Sequence, residues 1–390
     1  MMNPEKQKKT GEIYLHIPFC VRKCAYCDFL SFPAEAEDRK AYFRALQREI
    51  RCSAEPMAVR SIFLGGGTPS LPDADEIAGL LSCVSEHFDL LPGAEISMEA
   101  NPGTLTAEKL EIYRRCGVNR LSIGCQTTER AALAQLGRIH TYEDFLHSFA
   151  LAREAGFENI NVDLMSGLPC QTLSSWRRSL QCIAALEPEH ISAYSLILEE
   201  GTPLWERRDS LQLPPEEEER QMYEETAEIL GAFGYRRYEI SNYAKEGREC
   251  LHNLGYWTGV EYLGFGLGAA SLWQHRRYQN ETDLQTYLSY YGPEGPAEEG
   301  QGFREQSVRK IVEELSPADE MAEYMILGLR LQQGVGYREF RERFSEDMEQ
   351  RYGSVLRKYL SLGLMEQEGD RLRLTSKGIS VSNTIFADLL

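Results

Sequence analysis

The chain has 390 residues, of which 42% are hydrophobic and 26% charged, values typical of a globular protein with room for one large domain and a smaller one. The 60 acidic residues outnumber the 42 basic ones and give a formal net charge of −18, which argues against a broad nucleic-acid-binding face. The sequence has no apolar run near the roughly twenty residues that a spanning helix needs, and no apolar signal core follows its charged start. We therefore expect a cytoplasmic location.

Short strand-like runs alternate with helical patterns through the first two hundred residues. The predicted strands are 13–17, 61–64, 95–99, 120–124, 159–164 and 190–196. The predicted helices between them are 39–52, 74–87, 107–116, 142–156 and 173–186. Repeated strand-then-helix units with right-handed crossovers give a parallel sheet, either doubly wound or curled into a barrel. Because residues of catalytic character follow the strand ends, we predict an α/β fold with a partial (β/α)6 barrel.

Three closely spaced cysteines, Cys20, Cys24 and Cys27, follow the first predicted strand. Three thiolates at this spacing can bind three irons of a [4Fe-4S] cluster and leave the fourth iron open, and S-adenosylmethionine (SAM) is the known partner of such an iron. A zinc site would normally need a second cysteine or histidine pair, and disulfides are not expected without a secretory context. The alternative is a set of buried structural cysteines.

A glycine-rich turn follows the second predicted strand. Gly66, Gly67 and Thr68 belong to the sequence GGGTP, in which the missing side chains let the backbone approach a ligand. The turn lacks the lysine of a phosphate loop and the spacing of a dinucleotide fingerprint. It is either a cradle for the amino group of SAM or an ordinary turn.

Polar side chains end the next three strands or follow them. Glu99 can accept hydrogen bonds from ribose hydroxyls or an ammonium group, and Gln126 offers an amide. Arg138 carries a guanidinium suited to a carboxylate. Asp163 is a charge within an apolar strand, and a buried carboxylate needs a partner. For the first three, a surface or packing role is the alternative.

The second half of the chain contains an aromatic motif, HNLGYW, with His252 at its start. An imidazole nitrogen can ligate a haem iron, and Tyr256 and Trp257 supply flat apolar surface for a porphyrin. The alternative is a capped turn on an aromatic core.

We predict three parts of the chain: a barrel over residues 1–210, a barrel-completing segment with the HNLGYW motif over 211–300, and a C-terminal domain over 301–390. Residues 292–302 are rich in proline and glycine and indicate a loop. The C-terminal part reads as helix, short helix, helix and two short strands joined at 368–370, an order that resembles a winged helix. Since its charge is mixed, we favour a packing role over DNA binding.

Over nearly its whole length the chain resembles the radical SAM superfamily, and within it the oxygen-independent coproporphyrinogen III oxidase-like proteins. The segments that carry the resemblance are YLHIPFC, CAYCDF, FLGGGTPS, MEANPG, LSIGCQT, LGRIH, NVDLMSGLP, SAYSLILEEGTPL and HNLGYW. The resemblance implies that Cys20, Cys24 and Cys27 hold the [4Fe-4S] cluster. The residues that it implies for SAM are Tyr14, Tyr26 beside the adenine, Gly66, Gly67, Thr68, Glu99, Gln126, Arg138 and Asp163.

Two features distinguish the branches of this family. The oxidases carry a further cysteine two positions after the third cluster ligand and an N-terminal extension, whereas this chain has Phe29 there and thirteen residues before Tyr14. Both features match the haem chaperone branch, HemW, whose members bind haem and hand it to acceptor haemoproteins. The resemblance then implies that His252 belongs to the haem site.

The expected partners are haem, acceptor haemoproteins including some at the membrane, and an electron donor such as flavodoxin or ferredoxin, with no nucleic acid. Two alternatives remain. One is a working radical SAM enzyme that decarboxylates a porphyrinogen or transfers a methyl group. The other is a regulator that binds nucleic acid through the C-terminal domain.

Overall fold

The computed structural model describes residues 9–390, and its main feature is one twelve-stranded sheet. Its strands in chain order are β1 (Lys9–Ile17), β2 (Met57–Gly66), β3 (Asp89–Ala100), β4 (Arg120–Gln126), β5 (Ile160–Ser166), β6 (His190–Ser195), β7 (Arg236–Arg237), β8 (Asn242–Ala244), β9 (Tyr262–Phe265), β10 (Ala270–Trp273), β11 (Arg276–Asn280) and β12 (Arg309–Glu314).

The helices that accompany this sheet are α1 (Ala36–Ser53), α2 (Ala74–His87), α3 (Ala107–Arg115), α4 (Arg130–Gln135), α5 (Tyr142–Glu154), α6 (Leu173–Ala184), α7 (Pro203–Glu206), α8 (Glu216–Ala232), α9 (Leu251–Thr258) and α10 (Leu284–Tyr291). The C-terminal elements are α11 (Pro317–Gly328), β13 (Val335–Gly336), α12 (Tyr337–Phe344), α13 (Met348–Ser361), β14 (Met365–Glu368), β15 (Arg371–Leu374), α14 (Ser376–Ser380) and α15 (Ser382–Ala387).

The strand order is β12-β11-β10-β9-β1-β2-β3-β4-β5-β6-β8-β7, which makes the sheet open. The six predicted strands are β1 to β6, and each pairs in parallel with the next one in the chain. The predicted partial (β/α)6 barrel is therefore confirmed. Parallel neighbours bring their carboxyl ends to one edge, and this edge carries the site described below.

The local sequence explains where the helices of this barrel begin. Thr141 and Thr172 precede α5 and α6 and accept hydrogen bonds from the third helical N–H group, with the side chain at that position bonding back to the cap. This reciprocal arrangement satisfies N–H groups that a helix start leaves unpaired. Strand β4, near the middle of the sheet, is buried along its whole length, as expected for a parallel sheet covered by helices.

Strands β7 to β12 were not predicted, and they extend the sheet at both ends. They are short, with two to six residues each, and lie in a stretch rich in glycine and tyrosine. Strand β9 pairs in parallel with β1, and β10 to β12 follow as antiparallel neighbours. Residues 292–302 contain no helix or strand, as predicted.

A buried ion pair joins this extension to the barrel. Glu49 of α1 contacts Arg309 of β12, and both side chains are completely buried. The Glu49 carboxylate also accepts hydrogen bonds from Asn280 Nδ2 (2.7 Å), Tyr287 OH (2.6 Å) and the Gly266 N–H (2.8 Å). A single carboxylate thus binds residues from four segments of the added region.

The C-terminal elements form a separate hydrophobic core. Three helices, α11 to α13, pack with a small sheet of order β13-β15-β14, and Met325, Phe340, Leu356 and Leu372 lie at the centre. The predicted mostly helical, winged-helix-like domain is confirmed, including the strand pair that turns at 368–370.

The division between the two regions follows the packing. Strand β12 belongs to the large sheet, and the second core begins with Met321. We therefore propose a boundary near residue 315 in place of residue 301, while the division at 210 stays a prediction. Within residues 9–390, no helix combines the length and the apolar character required to cross a bilayer.

Candidate functional site

A cavity of about 320 Å³ opens at the carboxyl ends of the parallel strands. It brings together most of the predicted site residues from six different segments of the chain. Those that line it are Cys20, Cys24, Cys27, Tyr26, Gly66, Gly67, Glu99, Gln126, Arg138 and Asp163. Tyr14, Thr68 and His252 do not line it, and their positions are described below.

The three cysteines lie on the loop between β1 and α1, which several backbone bonds hold in place. The Cys20 N–H donates to Phe32 O (3.1 Å), and the Ala25 N–H donates to Leu136 O (2.9 Å) on the segment after α4. All three thiols are partly buried. Burial raises the pKa of the Cys27 thiol, so metal binding there has to displace a proton.

The cysteines fit a cluster better than a single ion. Within residues 9–390, no three His, Cys, Asp or Glu side chains converge on a point that a single metal ion would occupy. The three thiols instead surround one cavity, as ligands at separate corners of a multi-iron cluster would. Arg138 Nη1 lies 3.6 Å from Cys24 Sγ and places a positive charge beside a prospective thiolate.

The glycine turn at the end of β2 forms one wall of the cavity, and side chains on Gly66 or Gly67 would clash with the residues behind it. Gly66 has a φ angle of +109°, and a Cβ atom there would lie 2.4 Å from the His16 ring. A Cβ atom on Gly67 would lie 2.7 Å from the carbonyl oxygen of Phe19. The backbone therefore reaches the cavity at a place where only glycine fits.

Two half-buried carboxyl groups face this wall. Glu99 Oε2 accepts a hydrogen bond from the Gly66 N–H (3.1 Å), and burial together with the charge of Asp163 raises the pKa of Glu99 to about 8. Asp163 accepts hydrogen bonds from Ser122 Oγ (3.1 Å) and Asn161 Nδ2 (2.7 Å), and burial raises its pKa as well. A ligand with a cationic group and hydroxyl donors would compensate for both carboxylates.

Arg138 organises the opposite wall. Its Nη2 donates to Gly124 O (2.7 Å) and to Asn101 Oδ1 (2.8 Å), while its Nε is buried without a hydrogen-bond partner. A Cβ atom on Gly124 would lie 2.7 Å from that Nη2. Nearby Gln126 has a φ angle of +67°, an uncommon backbone conformation for a residue with a side chain.

We expect Arg138→Ala to weaken SAM binding about tenfold, or about 1.4 kcal/mol, because the wall loses its guanidinium bonds and the charge beside Cys24. Isothermal calorimetry with cluster-reconstituted protein measures the affinity. Arg178→Ala is the control, since Arg178 is exposed, lies outside the cavity and bonds to Glu129 and Ser174 at the surface. Unchanged SAM affinity in a folded Arg138→Ala protein would remove this residue from the site.

Tyr14 and Thr68 lie behind the wall of the cavity. The Tyr14 hydroxyl is 3.0 Å from His16 Nδ1 and faces a second, deeper cavity. Thr68 Oγ1 accepts a hydrogen bond from Asn101 Nδ2 (2.7 Å) and lies 3.4 Å from Cys20 Sγ. Direct contact of these two residues with SAM stays a prediction, and their positions favour a supporting role.

His252 lies on α9 at the amino end of the barrel, where the deeper cavity measures about 160 Å³. The side chain is 2% exposed, and both ring nitrogens have partners: Nδ1 is 3.0 Å from Ser61 Oγ and Nε2 is 3.0 Å from Tyr256 OH. Burial lowers the pKa of His252 to about 3, so the imidazole is neutral. The buried Glu95 carboxylate accepts hydrogen bonds from the first N–H groups of α9.

Several cavity residues escaped the sequence analysis. They are Arg22, Asn101, Ser122, Met165 and Tyr194, together with Phe29, which was noted only for its place beside the cysteines. Ser122, Met165 and Tyr194 lie on strands whose inward face cannot be assigned from an almost fully apolar pattern.

Comparison with known proteins assigns this chain to a family. The Radical SAM superfamily matches residues 14–183. Relatives described as "Heme chaperone HemW" include those of Bacillus subtilis, 37% identical over 97% of this chain and 98% of that protein, and Lactococcus lactis, 36% identical over 98% of both. The chain belongs to the HemW family of radical SAM proteins.

The predicted family is thereby confirmed, and other similarities agree with it. The HemN C-terminal domain matches residues 315–381. The solved structure of coproporphyrinogen III oxidase (HemN) from Escherichia coli superposes with a TM-score of 0.81 at 24% identity, covering 98% of this chain and 90% of that one. At this identity the likeness shows a common fold. Membership of the radical SAM superfamily implies SAM and a [4Fe-4S] cluster, for which the cavity has suitable residues.

Proposed function

We propose that this protein is a haem chaperone, which binds haem and transfers it to acceptor haemoproteins with the help of a [4Fe-4S] cluster and SAM. The observation that carries the proposal is the similarity to HemW proteins, which extends over 97% of the chain. Phe29 supports it, because its apolar side chain lies at the cavity where the oxidase branch would have a further cysteine.

Each cofactor has a proposed place in the cavity. Cys20, Cys24 and Cys27 would hold the cluster. The glycine wall, Glu99, Asp163, Gln126, Arg138 and Tyr26 would bind SAM, with Tyr26 beside the adenine. When bound, the cluster and SAM would supply one-electron chemistry. The protein's own contribution is to hold Glu99 and Asp163 half-buried at the cavity and to fix Arg138 beside Cys24.

The other parts of the proposal concern partners and location. We propose that the protein acts in the cytoplasm and that its acceptors are haemoproteins, including some at the membrane. We also propose that flavodoxin or ferredoxin reduces the cluster. The absence of nucleic-acid binding stays a prediction from the net charge of −18.

An anaerobic haem titration of cluster-reconstituted protein tests the function. We expect saturable binding followed in the Soret region, retention of haem on gel filtration, and loss of that haem to apomyoglobin added as an acceptor. Haem alone at the same concentration is the control for spontaneous transfer. Absence of saturable binding, or transfer no different from that of free haem, would contradict the proposal.

The second candidate function is that of a radical SAM enzyme that decarboxylates a porphyrinogen or transfers a methyl group. The cavity of about 320 Å³ beside the cysteines favours it, because a substrate group could lie next to SAM there. Under reducing conditions this function would give 5′-deoxyadenosine, or S-adenosylhomocysteine for methyl transfer, in stoichiometric proportion to an altered substrate. Chromatography of the products distinguishes it from a chaperone, which would release haem unchanged.

A further inference from the structure

The packing of α9 leaves no room for haem at His252. Its ring stacks on Phe63 at 5.3 Å between centroids and meets the Tyr256 ring edge-on at 5.0 Å. The adjoining cavity of about 160 Å³ is smaller than the roughly 300–1,000 Å³ of pockets that hold drug-sized ligands, and haem is at least that large. Iron ligation through either ring nitrogen of His252 would also displace the partner of that nitrogen, Ser61 Oγ or Tyr256 OH.

The C-terminal domain covers the outer side of the same helix. The Arg330 guanidinium lies over the Trp257 ring at 4.8 Å, and Arg343 donates hydrogen bonds to Thr258 O (2.9 Å) and Gly259 O (3.1 Å). These contacts fix the carboxyl end of the HNLGYW helix against the C-terminal domain, beside a cavity of about 540 Å³ that Trp257 and Thr258 help to line. The His252 ring does not line that cavity and stays inside the barrel.

We infer that haem docks instead on a patch at the mouth of the cysteine cavity, which we call the mouth patch and define as Val21, Arg22, Phe29 and Ile139. This inference rests on the proposed function and assigns a place to its cargo. The three apolar side chains are 56%, 62% and 61% exposed, respectively. Exposed apolar side chains grouped around a cavity mark an interaction site.

The members of the mouth patch adjoin one another around the cysteine loop. Arg22 and Phe29 line the cavity that contains the three cysteines. Arg22 also lines a neighbouring depression together with Val21 and Ile139. The guanidinium thus connects the two depressions, and apolar surface lies on either side of it.

Hydrogen bonds hold the mouth patch in position before any ligand arrives. Arg22 Nη2 donates to Gly137 O (2.6 Å), and Lys23 Nζ donates to Phe29 O (2.8 Å). The Ala25 N–H bond to Leu136 O joins the cysteine loop to the segment that carries Ile139. A preformed surface binds a rigid ligand with less loss of conformational entropy.

The chemistry of this patch matches haem. The two faces of the macrocycle are flat and apolar, and its propionates are carboxylates. Phe29 and Ile139 offer apolar contact, while Arg22 and the exposed Lys23 offer cations in a chain whose net charge is −18. A guanidinium binds carboxylates with two parallel hydrogen bonds.

A comparison of three variants tests the assignment. The double variant Phe29→Ser with Ile139→Ser removes apolar surface from the mouth patch. Its matched control, Val312→Ser with Leu362→Ser, removes side chains that are each 60% exposed, one on β12 and one after α13, away from the cavity. His252→Gln removes the imidazole. Each protein is reconstituted with its cluster, checked by cluster absorbance and circular dichroism, and titrated with haem anaerobically.

We expect the mouth variant to bind haem at least tenfold more weakly than the wild type, since two apolar contacts are lost. The control variant should bind like the wild type. His252→Gln should keep the affinity within about threefold and the same Soret maximum, because no iron ligand is lost. If His252→Gln unfolds, Tyr256→Phe, which removes the hydroxyl partner of the imidazole, replaces it with the same expectation.

Failure of the inference and failure of the function give different results. If the wild type does not bind haem, the proposed function falls and the inference with it. If the wild type binds haem and the mouth variant binds it equally, only the mouth patch is wrong. A folded His252→Gln protein that loses the Soret signal would also overturn the inference. If the mouth variant binds haem normally but no longer transfers it to apomyoglobin, the patch binds the acceptor rather than the cargo.

Discussion

Cys24→Ser is expected to abolish the brown absorbance of the iron–sulfur cluster, because the cluster would lose one of its three protein ligands. The serine hydroxyl is a much weaker iron ligand than a thiolate, and two remaining cysteines cannot hold a cubane. The Arg138 guanidinium also loses its contact with the sulfur atom of Cys24, which would compensate its positive charge as a thiolate. Absorbance and iron content after anaerobic reconstitution measure the effect.

Cys182→Ser is the matched control for this prediction. Cys182 lies on α6 and is exposed, and it does not line the cysteine cavity. The control should reconstitute with the same iron content as the wild type. A Cys24→Ser protein that keeps a full cluster would show that the ligand assignment is wrong.

Glu49→Ala is expected to lower the free energy of unfolding by about 3–5 kcal/mol, because removal of one partner leaves a buried charge without compensation. The substitution leaves the buried Arg309 guanidinium without its carboxylate partner. Its Nε and Nη1 would keep only the hydrogen bonds to Asn280 Oδ1 (3.0 Å) and Ser53 Oγ (3.0 Å). It also removes the acceptor of Tyr287 OH. Urea denaturation followed by circular dichroism measures the change.

Glu299→Ala is the control for this second prediction. Glu299 pairs with Arg51 at 2.7 Å, but its side chain is 61% exposed and the arginine side chain 33%. Exposed pairs of this kind contribute about 0–1 kcal/mol. Equal unfolding free energies for Glu49→Ala and the wild type would mean that the extension of the sheet does not depend on the buried pair.

The sequence was most informative where the chemistry is local. Cys20, Cys24 and Cys27 lie within eight residues, so their spacing alone limits which metal centre they can hold. The glycines at 66 and 67 were recognised for the same reason, and the structure shows that a Cβ atom at either position would clash. The six parallel strands were found because helices with a clear apolar pattern separate them.

Tertiary packing decided the features that depend on residues far apart in the chain. Glu49 and Arg309 are separated by 260 positions, and the sequence around neither residue predicts an ion pair. Strands β9 to β12 are too short to predict by themselves, and they join the sheet because β9 pairs with β1 and β10 to β12 follow it in turn. A two-residue or four-residue strand is stable only beside a neighbour that supplies its hydrogen bonds.

The HNLGYW motif shows the same division most directly. The sequence by itself determined the family, the cysteine motif and the parallel strands. Each of these depends on residues that are close together in the chain or on a pattern that repeats with a regular period. Only the tertiary structure decided that His252 faces the barrel interior and that Phe29 and Ile139 face solvent. The reason is physical: burial depends on which surfaces meet, and a helix of eight residues between two cores can bury any of its sides.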